Sequence, residues 1–509
     1  MKKNKISRIF SFKNLCYSLP FFIVIISVFS SYLAPEDLGH YIRMGEEILK
    51  ARTVISKDIF THTFLGMEYI NAGWLSQVVL AVFNDLGGKE ILILLNSFIL
   101  VISLYLFVKL MAEIGINYKI IFLFSFLYMF TGASNWNLRP QLFVIPIFIY
   151  YFSFFYSGQK IKNSHLFLFF MLMVLWVNFH NSFPAGIGLL GIFLVAGIIK
   201  KYLESGEFTA VLKDRRIQTV FLILIAVTLA TFLNPYGFRI WGNVFSVMDK
   251  AAYRSEEWLP PTFNTPTGSM FFLSLVSGFA ILLKSRQKLK VEEIILLIFF
   301  CYQSLRHVRM VLWWGIVATP IFARHFQAIV KDCTKNNKFN FLTAEDENSI
   351  YKTYINGFII LCLSGILLIV SPYQRRKFTE SDFKYFINPA EQPVKIIDYL
   401  NENNIKGNMF NYSDWGSYII WELWPEYSPF FATRMHIVPR EIWNDYLIVH
   451  NGKVGWEDVL EKYNISLVLL NNNENSYVIE VMRNSGNWQE ILSDPAGILF
   501  SNQLQAGEK

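Results

Sequence analysis

Apolar stretches long enough to cross a bilayer recur from residue 15 to residue 371. A hydrocarbon core of ~30 Å leaves such stretches one common way to satisfy their own backbone, as helices packed side by side. Spans are predicted near residues 15–34, 88–112, 117–134, 141–157, 163–178, 182–200, 216–233, 267–284, 291–304, 308–327 and 353–371. With 53% hydrophobic residues, the chain reads as a polytopic, mainly α membrane protein.

The net charge of +7 is therefore read through the placement of Lys and Arg about the membrane, and nucleic acid is not an expected partner. Lys160 and Lys162, then Lys200, Lys201, Lys213, Arg215 and Arg216, then Lys284, Arg286, Lys288 and Lys290, then Arg324, Lys331, Lys335 and Lys338 mark one side. By the positive-inside rule that side is the cytoplasm. The first span follows Lys2, Lys3, Lys5, Arg8 and Lys13 and shows no small-residue cleavage site, so it reads as a signal anchor with its N-terminus inside. The expected location is the inner (plasma) membrane, with residues 35–87, 135–140, 179–183, 234–266 and 303–309 outside.

Residues 74–83 are apolar, but at ~1.5 Å per residue they cover only about half of the core. They are expected to form an interfacial helix closing the long first loop. Arg375, Arg376 and Lys377 follow the last span on the external side and run against the charge rule. From residue 372 the composition becomes that of a soluble domain. Helical periodicity at 393–401 and a strand-like run at 465–470, broken by Asn- and Gly-rich turns, predict a small α/β unit outside the membrane. The predicted domains are thus 1–371, with the external loop 35–87, and 372–509. Cys16, Cys301, Cys333 and Cys362 stand at no metal-ligand spacing and suggest no disulfide framework.

The polar residues able to carry chemistry gather outside: Asp37, His40, Arg43, Asp58 and His62 in the first loop, then Arg139, His180, Glu257, Arg306, His307 and Arg309. Few ionisable groups lie within the spans, which weighs against a transporter. Each candidate has an ordinary alternative. Pro35, Glu36 and Asp37 suit the first turn of a helix through dipole and capping effects alone, yet Asp37, His40 and Tyr41 share a helical face fit for binding. Asp58 is also a plausible loop cap, and His180 with Asn181 an interfacial polar pair. Arg306 and Arg309 share a face too. A headgroup anchor is the ordinary role of such a pair, but the external side disfavours it, and a guanidinium matches phosphate in bidentate fashion.

Several short motifs then follow in order: Asp37-Leu38-Gly39-His40, Ser56-Lys57-Asp58, Gly73-Trp74-Leu75, Arg139-Pro140-Gln141, Asn178-Phe179-His180, Asn234-Pro235-Tyr236-Gly237, Glu257-Trp258 and Asp414-Trp415-Gly416-Ser417-Tyr418. With these the chain resembles the GT-C superfamily of membrane glycosyltransferases, and within it a bacterial branch related to the protein mannosyltransferases and the lipid A aminoarabinose transferases. The resemblance implies about eleven transmembrane helices, a first loop that forms a substrate-binding jaw, and a sugar donor carried on a polyprenyl phosphate or diphosphate. It also implies a lipid, glycan or protein acceptor and Asp37 as general base. His40, Asp58, Arg139, His180, Glu257, Arg306, His307 and Arg309 are the substrate-binding candidates, the arginines and His307 for the phosphate.

Two departures matter. Asn135 and Asn137 stand around Trp136 where relatives often carry a second acid, and Ala432-Thr433-Arg434 replaces an Asp-Gly-Arg. No cofactor is expected, and a divalent metal is not favoured. The Asp414-Trp415-Gly416 run and Ser255 to Pro260 also resemble features of the oligosaccharyltransferase catalytic subunit, which would require a metal held by several carboxylates. An O-antigen ligase or polymerase-like enzyme would instead use external Arg and His without a first-loop acid.

Overall fold

The computed structural model describes residues 9–251, 256–334, 342, 350–377, 386–403, 405, 407–432, 434 and 437–502, without the side chains of Asp37, residues 247–251, Glu256, Thr334, Ile350 and Lys377. Ser255 and Thr433, and the orienting Lys2, Lys3, Lys5, Arg8, Lys335 and Lys338, lie outside the described residues. The chain divides into two compact units. Residues 1–30 and 93–374 form one, and residues 31–92 and 375–509 the other.

Each of the eleven predicted spans falls on a helix. Among the described residues five are long and apolar enough to cross a membrane: Phe12–Ser30, Trp74–Glu113, Phe183–Ser205, Pro266–Lys284 and Tyr351–Val370. Pro140–Tyr156 and Asn163–Phe179 are shorter apolar helices. Trp74–Glu113 breaks at Gly87 and Gly88, whose backbone angles are not helical. The short helix expected from residue 74 therefore ends at a glycine kink before the span begins, because glycine alone adopts the φ of +62° at Gly88 without a steric cost.

Within the first unit the spans pack through small residues that let backbones approach. A Cβ on Gly315 would come within 2.1 Å of Thr131 Oγ1, and one on Gly278 within 2.2 Å of the Phe322 ring. Phe148, Trp176, Trp313 and Phe300 form an aromatic centre, while Phe98, Leu222, Val276 and Leu368 stay exposed, as lipid-facing side chains would. Arg324, read from sequence as a loop cation, lies inside the helix Val311–Thr334. It forms an ion pair with the fully buried Glu293, which also accepts a 2.7 Å bond from the Tyr156 hydroxyl.

The second unit contains a four-stranded sheet in the order β1-β2-β4-β3. Strand β1 (Asn408–Asn411) runs parallel to β2 (Ile465–Asn471). β2 pairs antiparallel with β4 (Gly497–Asn502), as does β3 (Trp488–Ser493). The α/β character read from the C-terminal sequence is present. The first loop shares this unit: the helix Pro35–Ala51 packs against the helix Gly416–Leu423. Gly39 makes that possible, since a Cβ there would sit 2.3 Å from the Ser417 carbonyl oxygen. Arg375 donates to the Ser31 carbonyl at 3.0 Å and Arg376 pairs with Glu90 at 3.0 Å, so these two basic residues find partners within the unit.

Candidate active site

In the first unit, four connections that were far apart in sequence meet at one end of the helices. Arg139, where the chain extends before the turn Pro140–Val144, pairs with Glu257 at 2.5 Å and also donates to the Ser134 carbonyl at 3.2 Å. His307 ends the helix Val291–Arg306, and its Nδ1 lies 2.7 Å from the Trp258 carbonyl. A carbonyl only accepts, so that nitrogen carries the proton. The backbone adds a bond from Val308 N to the Leu259 carbonyl at 2.9 Å, fastening the two connections together. Arg309 lies over the Trp258 ring with its guanidinium 4.6 Å from the centroid. A cation over an aromatic face is attracted to it, and this contact positions Arg309.

His180 caps the helix Asn163–Phe179, and its Nδ1 accepts the Ser182 N–H at 3.1 Å. Burial and then the charges of Arg309 and Arg139 push its pKa down to about 3. The ring is accordingly neutral near pH 7, and with Nδ1 accepting, Nε2 holds the proton and is a donor. Burial pushes the Glu257 carboxyl up, but Arg139 and Arg309 outweigh it and hold the pKa below the usual value. Two guanidiniums, one carboxylate and a neutral imidazole N–H thus leave a net positive charge, an arrangement that suits a phosphate group.

Arg139, His180, Glu257, His307 and Arg309 are therefore brought together. Arg306 stands apart from them, exposed on its own helix, with its Nη1 3.3 Å from the Tyr302 hydroxyl. The helical face shared by Arg306 and Arg309 does not exist, because the helix ends at Arg306 and the chain is extended at His307. Asn234 holds its turn by bonding the Thr231 and Gly237 carbonyls, a role of shape. Trp258, met in the sequence only as part of the Glu257-Trp258 motif, is the platform under Arg309, a part that carries no signal in the local pattern.

In the second unit, Asp37 lies in the first turn of the helix Pro35–Ala51, which begins with Pro35; its side chain is outside the described residues. His40 is only 1% exposed and packs on Tyr41 and Phe60, so at that residue the face read as a binding surface is a packing surface. Close approach at Gly39 is the reason. Asp58 is likewise buried. Its Oδ1 accepts from Phe60 N, Thr61 N and the Thr61 hydroxyl, and its Oδ2 forms an ion pair with Arg434. This is the loop cap weighed above, reinforced by an arginine 376 residues away. His62 meets the Met409 carbonyl at 3.1 Å, and Arg43 donates to the Trp421 carbonyl at 2.9 and 2.6 Å. Trp415 is buried and donates to the Glu391 carbonyl at 2.8 Å.

No family model matches the chain, and no curated protein matches it in sequence. Solved structures do match in fold, among them three of the Archaeoglobus fulgidus oligosaccharyltransferase. The apo form superposes with a TM-score of 0.52 at 11% identity, covering 89% of this chain and 69% of that one. The form tethered to an acceptor peptide containing the NVT sequon gives 0.53 at 12% identity, covering 96% and 74%. A complex of the enzyme, AglB, with an inhibitory peptide and a dolichol-phosphate gives 0.52 at 12%, covering 89% and 69%. At such identities the likeness speaks for the fold alone: the chain has the GT-C membrane fold with a small C-terminal α/β domain.

Proposed function

We propose that the protein is an inverting membrane glycosyltransferase. It moves a sugar from a polyprenyl phosphate or diphosphate to an acceptor hydroxyl or amine on the external face. The observation that carries this reading is the convergence of Arg139, Arg309 and the Nε2–H of a neutral His180 at one end of a GT-C helix bundle. The dolichol-phosphate in one structural neighbour and the tethered acceptor peptide in another agree with a lipid-linked donor and a separate acceptor.

In this reaction the acceptor oxygen or nitrogen attacks the anomeric carbon as the bond to the carrier phosphate breaks on the opposite side. The resemblance assigns to Asp37 the proton that the acceptor loses. The departing phosphate keeps the bonding electron pair, and the guanidiniums with His180 stabilise its growing charge. His307 acts through Trp258, holding the platform on which Arg309 rests.

A metal-dependent, oligosaccharyltransferase-like route needs several free carboxylates. Asp58 is bound to Arg434 and Glu257 to Arg139, and no group of three or more His, Cys, Asp and Glu suited to a metal occurs among the described residues. We therefore propose a reaction that uses no metal.

Binding of a polyprenyl phosphate to the full-length protein in detergent tests the phosphate assignment. R309M should weaken it about tenfold, the value of one charge-assisted contact, and R306M should leave it unchanged. The opposite order, or no effect of R309M, would refute the site.

A further inference from the structure

Far from these residues within the same unit, a cavity of about 240 Å³ opens beside the C-terminal end of the helix Phe183–Ser205. His180 lies just before the start of that helix, and at ~1.5 Å per residue Lys200 and Glu204 on the cavity lie roughly 25–30 Å along it, towards the opposite end of the bundle. Its inner wall is apolar, with Phe155, Phe193, Gly197 and Val220, and its rim is charged.

The rim charges are of both signs. Lys201 is taken up by Asp214 at 3.4 Å, and Asp214 in turn caps the helix Arg215–Ala230. Lys200, Arg216, Glu204 and Glu292 remain, and among the described residues none of these four has an ion-pair partner. Two cations and two carboxylates without partners around one cavity do not select a simple anion, because the carboxylates would repel it. They suit a ligand that carries both charges.

The surroundings specify what kind. Leu203, Phe208 and Leu212 are 72%, 59% and 60% exposed beside this charged rim, the pattern of side chains resting at a membrane interface. An apolar inner wall behind the charges gives an acyl chain a place to lie. A phosphate meets Lys200 and Arg216, and an ammonium with three N–H groups donates to Glu204 and Glu292. A trimethylammonium cannot donate.

We propose that this cavity binds the headgroup of a phosphoethanolamine lipid from the leaflet opposite the candidate active site. The test uses delipidated full-length protein titrated with phosphatidylethanolamine, phosphatidylcholine and phosphatidylglycerol of identical acyl chains, with retained lipid counted by native mass spectrometry. Phosphatidylethanolamine should be retained about tenfold better than phosphatidylcholine, the difference expected when charge-assisted hydrogen bonds are lost. E204Q combined with E292Q should abolish that preference, and K200A combined with R216A should lower retention of both lipids. A wild-type protein that retains phosphatidylglycerol best would overturn the proposal, whatever the variants do. So would a preference that survives the glutamine pair, or equal competition by O-phosphoethanolamine, which would make the ligand a soluble phosphate compound.

Discussion

Replacing Arg434 by methionine should destabilise the second unit severely. The Asp58 side chain is fully buried and that of Arg434 is 7% exposed. The guanidinium also lies 5.2 Å from the Tyr69 ring centroid and 5.8 Å from that of Phe60. Methionine keeps most of the apolar stem, so the change isolates the charge. It leaves the Asp58 Oδ2 buried without its counter-ion, which costs about 3–5 kcal/mol. At about 2–4 °C per kcal/mol for a unit of some 200 residues, melting should fall by roughly 10 °C. The assay is thermal unfolding of the full-length protein, with hydrogen exchange across residues 56–69 to locate the loss. D58N combined with R434M should cost clearly less than the sum of the two single changes, because it removes both buried charges. A loss below about 1 kcal/mol for R434M, or strict additivity, would refute the ion pair as the tether of this loop.

Two further outcomes follow from named contacts. The folded pKa of His180 lies at about 3 against 6.5 for the free side chain, so between these values the unfolded chain holds a proton that the folded protein lacks. This contribution to stability is complete above pH 6.5 and is lost as the pH falls towards 3; H180N should flatten the acid side of a stability–pH profile by up to about 1.4 kcal/mol per unit. A profile parallel to wild type would contradict the buried neutral ring. Adding a methyl group at Gly39 forces it within 2.3 Å of the Ser417 carbonyl oxygen and 2.7 Å of Trp421 Cβ. G39A should therefore cost about 1–3 kcal/mol in thermal unfolding, whereas G188A, with nothing within 4 Å, should cost none.

The helix frame was legible because hydrophobic length and charge alternation are local properties of the sequence. Even the weakly apolar span near 291–304 emerged as the helix Val291–Arg306. The gathering of Arg139, His180, Glu257, His307 and Arg309 was legible in part, since alternation of sides put their loops together before any contact was known. Arg306 failed because helical spacing was extrapolated past the residue where the helix stops. Asp58 and His40 were harder. Their partners, Arg434 for one and the helix packing allowed by Gly39 for the other, depend on contacts across hundreds of residues. No local pattern reports such contacts, and the same polar residue types serve tethering and binding alike. The second unit shows this most plainly: Arg43, Asp58 and His62 hold the first loop to the C-terminal fold.

Turnover of a polyprenyl-linked sugar by the purified full-length protein, wild type against D37N, tests the central claim most directly. Asparagine keeps the shape of the side chain and the helix start but cannot accept the acceptor's proton. Loss of transfer by a factor of about 10²–10⁴, with polyprenyl phosphate binding and melting temperature unchanged, is the predicted result. Transfer at the wild-type rate would remove Asp37 as the base and favour a ligase-like enzyme working through arginine and histidine alone.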